Sequence, residues 1–146
     1  MPKRFTLAEA QSLIPQVDRL LREAMELKSE FIQAERALQS FSERIMLMGG
    51  MIVDRGRVLE AKSRRESEAA RLRNAVEQLQ DIGCLVKDLD TGLVDFPTLF
   101  RGQEVYLCWK LGERSIEFWH GVDEGFRGRK AIDQDFRDHV EGDRTQ

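Results

Sequence analysis

The first half of this chain carries a regular apolar repeat, which limits more than any other feature what the chain can fold into. Apolar side chains recur in alternating steps of four and three residues, a spacing typical of a helix that packs along another helix. The repeat consists of Leu13, Val17, Leu20, Ala24, Leu27, Phe31, Ala34, Leu38, Phe41, Ile45 and Met48. A helix over residues 15–48 would be about 50 Å long, whereas a 146-residue globule has a radius of gyration of about 15 Å. We therefore expect this helix to extend beyond any compact body.

Local signals predict where two helices begin and end. Thr6 and Glu9 form a capping box, in which the hydroxyl and the carboxylate satisfy free backbone N–H groups, so a helix should begin there. Pro15 lacks an N–H and crowds the preceding turn, which predicts a kink or a short break just before it. The glycine pair at positions 49–50 should end this helix, and a second helix is expected over about residues 57–81.

The short connection between the two helices predicts that they are antiparallel neighbours, so that residues 6–82 form a coiled-coil-like helical hairpin arm. Lys62 and Arg65 of the second helix fall at positions that should face apolar side chains of the first. Long basic stems can cover apolar surface, or the tip of the arm can meet another chain. An isolated arm would leave Phe31 and Phe41 half covered, which favours self-association or a helical protein partner.

After the helices the apolar period changes from 3.6 to 2, which indicates β-strands. A first hairpin is predicted over residues 84–96, with a three-residue turn that ends in Gly92. In this hairpin Lys87 should face Asp95 across the two strands. Pro97 should end the second strand, because proline cannot donate a hydrogen bond to a ladder.

A second hairpin is predicted over residues 104–120, around a four-residue loop at 111–114. The expected register pairs Val105 with His120, Leu107 with Phe118, Trp109 with Ile116, Cys108 with Glu117 and Tyr106 with Trp119. One face of this hairpin is then apolar and can pack on the helices. A slip of one residue would place apolar side chains opposite polar ones, which favours this register.

These elements predict the fold class α+β, with a long antiparallel helical hairpin followed by a small four-stranded antiparallel β-sheet. Residues 1–146 should form a single domain, made of the helical hairpin arm at 6–82 and a β-meander cap at 84–130. Residues 133–146 should form a polar tail with a short helix near 135–140 and disordered last residues.

The polar face of the second hairpin is a candidate binding surface, because its aromatic side chains are unusual for an ordinary solvated face. In the predicted register it carries Tyr106, Glu117 and Trp119. The glycine-rich loop that follows adds Arg127 and Arg129, two guanidinium groups that could hold an anion.

Three strings in the second half of the chain resemble one known family. They are KDLDTGLVDFP at residues 87–97, VYLCWKLGE at 105–113 and WHGVDEGFRGR at 119–129. The family is the group of uncharacterised prokaryotic proteins called domain of unknown function 2203, and its long helical arm after a capping box is similar too. The resemblance implies a small cytosolic bacterial protein, and it supplies no known activity, cofactor or catalytic residue.

Composition excludes several protein classes. The net charge is −3 and the chain holds three prolines and two cysteines, so collagen-like, low-complexity and disulfide-scaffold classes are excluded. No apolar run approaches the roughly 20 residues that span a bilayer, and no secretory signal is recognisable. We expect a cytoplasmic protein without membrane contact, in which both cysteines are reduced.

A transition-metal site is one alternative function, and no other cofactor is expected. The candidate ligands are Cys108, Glu117, His120 and Asp95, which are residue types that bind such ions. In the predicted register, however, His120 lies beside Val105 on the opposite face from Cys108. A twist or bulge after Trp119 would be needed to bring the ligands together.

Nucleic-acid binding is a further alternative, because basic side chains outnumber acidic ones near the predicted tip of the arm. Arg57, Lys62, Arg64 and Arg65 are the candidate contacts for an RNA backbone. Aromatic stacking residues are missing there and acidic residues lie between the basic ones, so this function is not favoured.

The sequence favours a non-catalytic interaction or scaffold protein over an enzyme. It offers no phosphate-binding glycine loop, and its only candidate nucleophile, Cys108, lies on the other face from His120 in the predicted register. The arm would serve self-association or partner binding, and the β-rich end would present the surface around Tyr106 and Trp119.

Overall fold

A computed structural model describes residues 3–47 and 55–143 of the chain. The chain is an α+β protein, and its helices and strands occur in the following order. They are α1 (Leu7–Leu47), α2 (Arg55–Ile82), β1 (Leu85–Asp88), β2 (Leu93–Phe100), β3 (Gln103–Lys110), β4 (Phe118–Gly121), a short 3-10 turn (Phe126–Gly128), β5 (Lys130–Ala131), α3 (Gln134–His139) and β6 (Val140–Glu141).

Helix α1 begins at the predicted cap and continues through its proline. The hydroxyl of Thr6 accepts a hydrogen bond of 3.0 Å from the backbone N–H of Glu9, as predicted. The predicted break does not occur, because α1 is one helix across Pro15. Ile14 and Val17 are buried on either side of the exposed Pro15. Burying two such side chains contributes roughly 3–6 kcal/mol, which offsets the roughly 3 kcal/mol that an interior proline costs.

The chain divides into two compact units, Glu23–Val76 and a second one made of Met1–Arg22 with Glu77–Gln146. In the first unit α1 and α2 contact each other through Glu35 and Arg65, whose charged atoms lie 3.2 Å apart. Glu30 of α1 also lies near Glu68 of α2 and raises the pKa of its carboxyl group. Glu35 comes after Glu30 in α1, whereas its partner Arg65 comes before Glu68 in α2. The two helices are therefore antiparallel there. The predicted helix end at 49–50 lies outside the described residues.

The second unit contains a six-stranded antiparallel sheet rather than the predicted four strands. Strands β1 to β5 follow one another in chain order, and β6 pairs with β2 on the edge that β1 also uses. The two additional strands, β5 and β6, have only two residues each, which is too short for a period of 2 to be recognised. The predicted C-terminal helix is present as α3, whose first turn is capped by the side chain of Asp133.

Strand β2 runs straight through Pro97, so the prediction that this residue ends the strand was wrong. Pro97 lies opposite Tyr106 of β3, and its carbonyl accepts a 2.7 Å hydrogen bond from the N–H of Phe5. The N and the O of one strand residue point to the same edge, which here faces the segment around Phe5 and not β3. The missing N–H of Pro97 is therefore not needed in the ladder with β3.

The apolar core covers one face of this sheet. The strands contribute Val94, Phe96, Val105, Leu107 and Trp109, and the helices contribute Ala10, Ile14, Val17, Leu20, Leu21 and Leu79. The prediction that the face of β3 bearing Trp109 packs on the helices is confirmed. Within the ranges that the structure describes, no helix is long and apolar enough to cross a membrane.

The predicted register between β3 and β4 was wrong by one residue. Tyr106, not Val105, lies opposite His120, and Cys108 lies opposite Phe118 rather than Glu117. The connection after β3 is longer than predicted, because β4 begins only at Phe118. As a result, His120 and Trp119 each lie on the opposite face of the sheet from the predicted one. A shift of one residue turns every side chain of a strand to the other side.

The first hairpin also differs from its predicted register. The positive φ predicted for Gly92 is confirmed, at +72°, a conformation that glycine adopts without strain. The turn has four residues, 89–92, rather than the predicted three, because Asp88 pairs with Leu93. Leu85, not Lys87, lies opposite Asp95, and the pairing is irregular between Val86 and Asp88. This irregularity could not be predicted from alternation alone.

Candidate metal centre

Three neighbouring strands bring three metal-binding side chains together on the face of the sheet opposite the core. Asp95 of β2 lies directly opposite Cys108 of β3, and His120 of β4 lies opposite Tyr106, two positions along the same face. The carboxylate oxygen, the sulfur and the imidazole nitrogen all lie within 4.8 Å of one another. Only 1% of Asp95, 0% of Cys108 and 3% of His120 is exposed. We call these three residues the metal cluster.

The contacts of His120 indicate which of its ring nitrogens carries a hydrogen. Nδ1 lies 2.8 Å from the carbonyl oxygen of Gly121, which can only accept, so Nδ1 carries a hydrogen. A neutral imidazole then has a bare lone pair on Nε2, and Nε2 lies 3.0 Å from Oδ1 of Asp95. An ionised carboxylate is also only an acceptor, so a proton or a metal ion must lie between these two atoms. Metal-binding histidines typically donate their other N–H to a carbonyl in this way.

Asp95 carries a second feature that fits a metal ligand. Its other carboxylate oxygen, Oδ2, is buried and has no hydrogen-bond partner within residues 3–47 and 55–143. A buried polar atom without a partner is costly, and buried carboxylates are normally paired or coordinate metals. The cluster therefore holds an acceptor that a cation would satisfy.

Cys108 is protonated in the absence of a metal ion. Burial, and then the negative charge of Asp95, raise the pKa of the Cys108 thiol to about 12. A thiol of this kind is a poor nucleophile, because the thiolate is the reactive form. The ring nitrogens of His120 contact Gly121 and Asp95, so the histidine does not act as the base of a Cys-His pair. The arrangement fits metal coordination better than nucleophilic catalysis.

The donor set of sulfur, imidazole nitrogen and carboxylate oxygen suits a borderline transition-metal ion such as Zn²⁺. Tetrahedral coordination at ordinary Zn–S, Zn–N and Zn–O lengths separates ligand atoms by about 3.3–3.6 Å. The spacing of Asp95 and His120 is already close to this range, at 3.0 Å. Shifts of about 1 Å or less would complete a three-ligand site.

Glu117 is the predicted ligand that the structure leaves out. It precedes β4, is exposed, and its carboxylate lies 3.3 Å from the hydroxyl of Ser115. Glu117 was predicted to lie opposite Cys108 because the predicted register was shifted by one residue. The same shift hid the correct partner, His120, which an alternation argument alone could not place on the same face.

The predicted binding surface is not a single patch. Tyr106 contacts the ring of His120 at 5.5 Å between centroids, on the face of the metal cluster. Trp119 is on the core face instead, where its ring stacks on Phe136 at 4.9 Å. These two aromatic side chains are therefore separated by the sheet.

Arg129 is engaged within the fold, and Arg127 is exposed near it. Nη2 of Arg129 donates to both carboxylate oxygens of Glu113, at 2.6 and 2.9 Å. Its guanidinium also lies 4.0 Å from the ring centroid of Phe118 and 4.8 Å from that of Phe126. These contacts hold the segment after β4 against the β3–β4 connection.

The basic residues predicted for RNA contact are all on α2, in the unit Glu23–Val76. Arg57, Lys62 and Arg64 are exposed, whereas Arg65 forms the ion pair with Glu35. Their contact with a nucleic acid stays a prediction.

A separate cleft of about 630 Å³, lined by residues such as Gln11 and Ile116, shares no residue with the metal cluster.

Comparison with known families assigns this chain to one of them. The family described as "Uncharacterized conserved protein (DUF2203)" matches residues 3–132, and the chain belongs to it. The resemblance of the three C-terminal strings is thereby confirmed. No curated protein and no solved structure matches the chain.

Proposed function

We propose that this member of the DUF2203 family binds a transition-metal ion, preferably Zn²⁺, through Asp95, Cys108 and His120. The observation that carries the proposal is the convergence of three different donor atoms, from three strands, within 4.8 Å of one another. A carboxylate and a thiolate together contribute two negative charges, which a divalent cation neutralises. Buried charges of this kind are stable when they are paired with a metal.

The contact between His120 and Asp95 also supports the proposal. Nε2 of His120 and Oδ1 of Asp95 face each other at 3.0 Å, and Oδ2 of Asp95 has no hydrogen-bond partner among the residues that the structure describes. A metal ion satisfies all of these acceptors at once. The carbonyl of Gly121 would orient the ring of the bound histidine.

The burial of the three donors favours a structural ion over a catalytic one. A substrate would have to reach a position surrounded by side chains that are at most 3% exposed. An ion bound there would instead cross-link β2, β3 and β4 near the middle of the sheet. We also propose a cytoplasmic location, which would keep Cys108 reduced and able to coordinate.

Metal titration of the chelator-treated chain tests the proposal. We expect one Zn²⁺ per chain by calorimetry, and one Co²⁺ per chain with a thiolate-to-cobalt charge-transfer absorption. Cys108→Ser should remove that absorption, whereas Cys84→Ser, at the other buried cysteine, should leave it unchanged. An absent metal signal, or one that survives Cys108→Ser, contradicts the proposal.

A second proposed function is self-association through the unit Glu23–Val76. It is supported by apolar side chains that this unit leaves uncovered. Leu59 is 67% exposed, and Phe31 and Phe41 of the apolar repeat are only partly buried. A second copy of this chain, with the same repeat, is the partner we propose.

A further inference from the structure

We infer that metal binding at Asp95, Cys108 and His120 orders the segment of residues 121–131, which runs from the last residue of β4 to the end of β5 and which we call the post-β4 segment. This inference depends on the proposed metal binding and extends it, because it names the segment whose order the bound ion would control. The segment contacts two of the three residues of the metal cluster.

One attachment is at His120. The carbonyl of Gly121, the first residue of the post-β4 segment, accepts the 2.8 Å hydrogen bond from Nδ1 of His120. A second and longer contact is at Cys108, whose backbone carbonyl lies 3.4 Å from Nη2 of Arg129, an atom that Glu113 also holds at 2.6 and 2.9 Å. Displacement of His120 therefore moves the main metal-linked anchor of the segment.

Inside the segment, Glu124 connects the first anchor to the far end. Its Oε1 accepts from the backbone N–H of Gly121 at 2.9 Å and from Nζ of Lys130. The hydrogen bonds from Lys130 and Gly121 lower the pKa of Glu124, so its carboxylate stays ionised at neutral pH. A Cβ added to Gly128 would lie 2.9 Å from Cβ of Glu124, so the chain closes tightly around this side chain. Hydrogen bonds thus run from His120 through Gly121 and Glu124 to Lys130.

Metal binding acts on this path in two ways. Coordination at Nε2 makes the Nδ1–H of His120 a stronger donor, which strengthens its bond to Gly121. Coordination also brings the separations of the three donors, which run from 3.0 Å between Asp95 and His120 to at most 4.8 Å, to about 3.3–3.6 Å. Both effects fix the position of the anchors.

The segment has little burial of its own to hold it in place. Residues 122–127 are all exposed, including the apolar side chains of Val122, at 47%, and Phe126, at 44%. Segments with few buried contacts open at low free-energy cost. Residues 130–131 pair with β4 and Arg129 is paired with Glu113, so the part that opens most easily is the exposed stretch 122–127, next to the anchor at His120.

Hydrogen–deuterium exchange on the full chain, with and without Zn²⁺, tests the inference. Zinc stoichiometry is measured by calorimetry on the same samples. We expect peptides from residues 121–131 to exchange several-fold more slowly with zinc. Peptides from α2 should exchange at the same rate in both states.

Glu124→Gln is the decisive variant, because it weakens the path and leaves the ligands intact. It should bind one Zn²⁺ and lose most of the zinc-dependent protection of the segment. Asp123→Asn, at the adjacent exposed carboxylate, should behave as the unmodified chain does.

The outcomes separate the two proposals. Absence of zinc binding overturns the proposed function. Zinc binding without a change of exchange in residues 121–131 overturns this inference and leaves the metal site standing. Full zinc-dependent protection in Glu124→Gln also overturns it, because the path through Glu124 would then be unnecessary.

Discussion

Nε2 of His120 lies 3.0 Å from Oδ1 of Asp95, and neither atom supplies a hydrogen to the other when the imidazole is neutral and the carboxylate ionised. The carbonyl of Gly121 accepts a hydrogen bond from Nδ1, so the single hydrogen of a neutral imidazole lies on Nδ1 and not on Nε2. The pair therefore requires an added proton or a metal ion. A substitution at either residue of this pair is thus a direct test of the proposed site.

Asp95→Asn should abolish zinc binding and leave the metal-free fold intact. The asparagine amide can donate to Nε2, so the neutral side chains satisfy each other without a cation. We expect the free energy of unfolding without metal to change by about 1 kcal/mol or less. Calorimetric titration and denaturant unfolding in the presence of a chelator measure the two effects. Wild-type zinc affinity in this variant would contradict the assignment of Asp95 as a ligand.

Zinc should stabilise the folded chain, since an ion that binds only the folded state shifts unfolding by mass action. At a free zinc concentration 100 times the dissociation constant, the gain is about 2.7 kcal/mol. Thermal unfolding with zinc and with a chelator gives the comparison. His120→Gln should show the same melting temperature in both conditions, and a zinc-dependent shift in that variant would exclude His120 as a ligand.

The unit Glu23–Val76 should become more stable as pH falls. The pKa of Glu68 is raised above its ordinary value of 4.5 by its hydrogen bond with Glu30, by burial, and by the charge of Glu30. A raised pKa means that the folded state favours the protonated form. The stabilisation is therefore complete below about pH 4.5 and is lost as pH rises through the raised pKa.

Circular dichroism of thermal unfolding across that pH range measures this effect. Glu68→Gln mimics the protonated form and should remove the pH dependence. Glu66→Gln, at an exposed carboxylate on the same helix, should retain it. An unchanged pH profile in Glu68→Gln would show that the carboxyl pair does not couple to folding.

Self-association should depend on the apolar repeat of α1. Phe41→Glu places a charge on that repeat, where burial against a second chain would be unfavourable. Light scattering across concentration should give a mass above one chain for the wild type and a lower mass for the variant. Ser42→Glu adds the same charge at an exposed neighbour and should not change the mass. A wild-type monomer at all concentrations would contradict the proposed assembly.

Local features of the fold could be predicted because each depends on residues close together in the chain. The cap at Thr6, the turn at Gly92 and the buried face around Trp109 are all of this kind. The candidate site was predicted only in part. Asp95, Cys108 and His120 were among the candidate ligands, but the predicted register separated His120 from Cys108 and joined Glu117 to it.

Local patterns in the amino-acid sequence were sufficient to predict the two long helices, the change of period that starts the sheet, and the residue types from which a metal site could be built. The face that His120 occupies became known only from the packing of the folded chain. That face depends on the length of the connection before β4, where Ile116 is buried in the core and its N–H bonds to the distant side chain of Gln11. Such a contact between residues far apart in the chain leaves no periodic signal. The observed register of β4 differs by one residue from the register that alternation predicts, which is enough to bring the imidazole beside the thiol and the carboxylate.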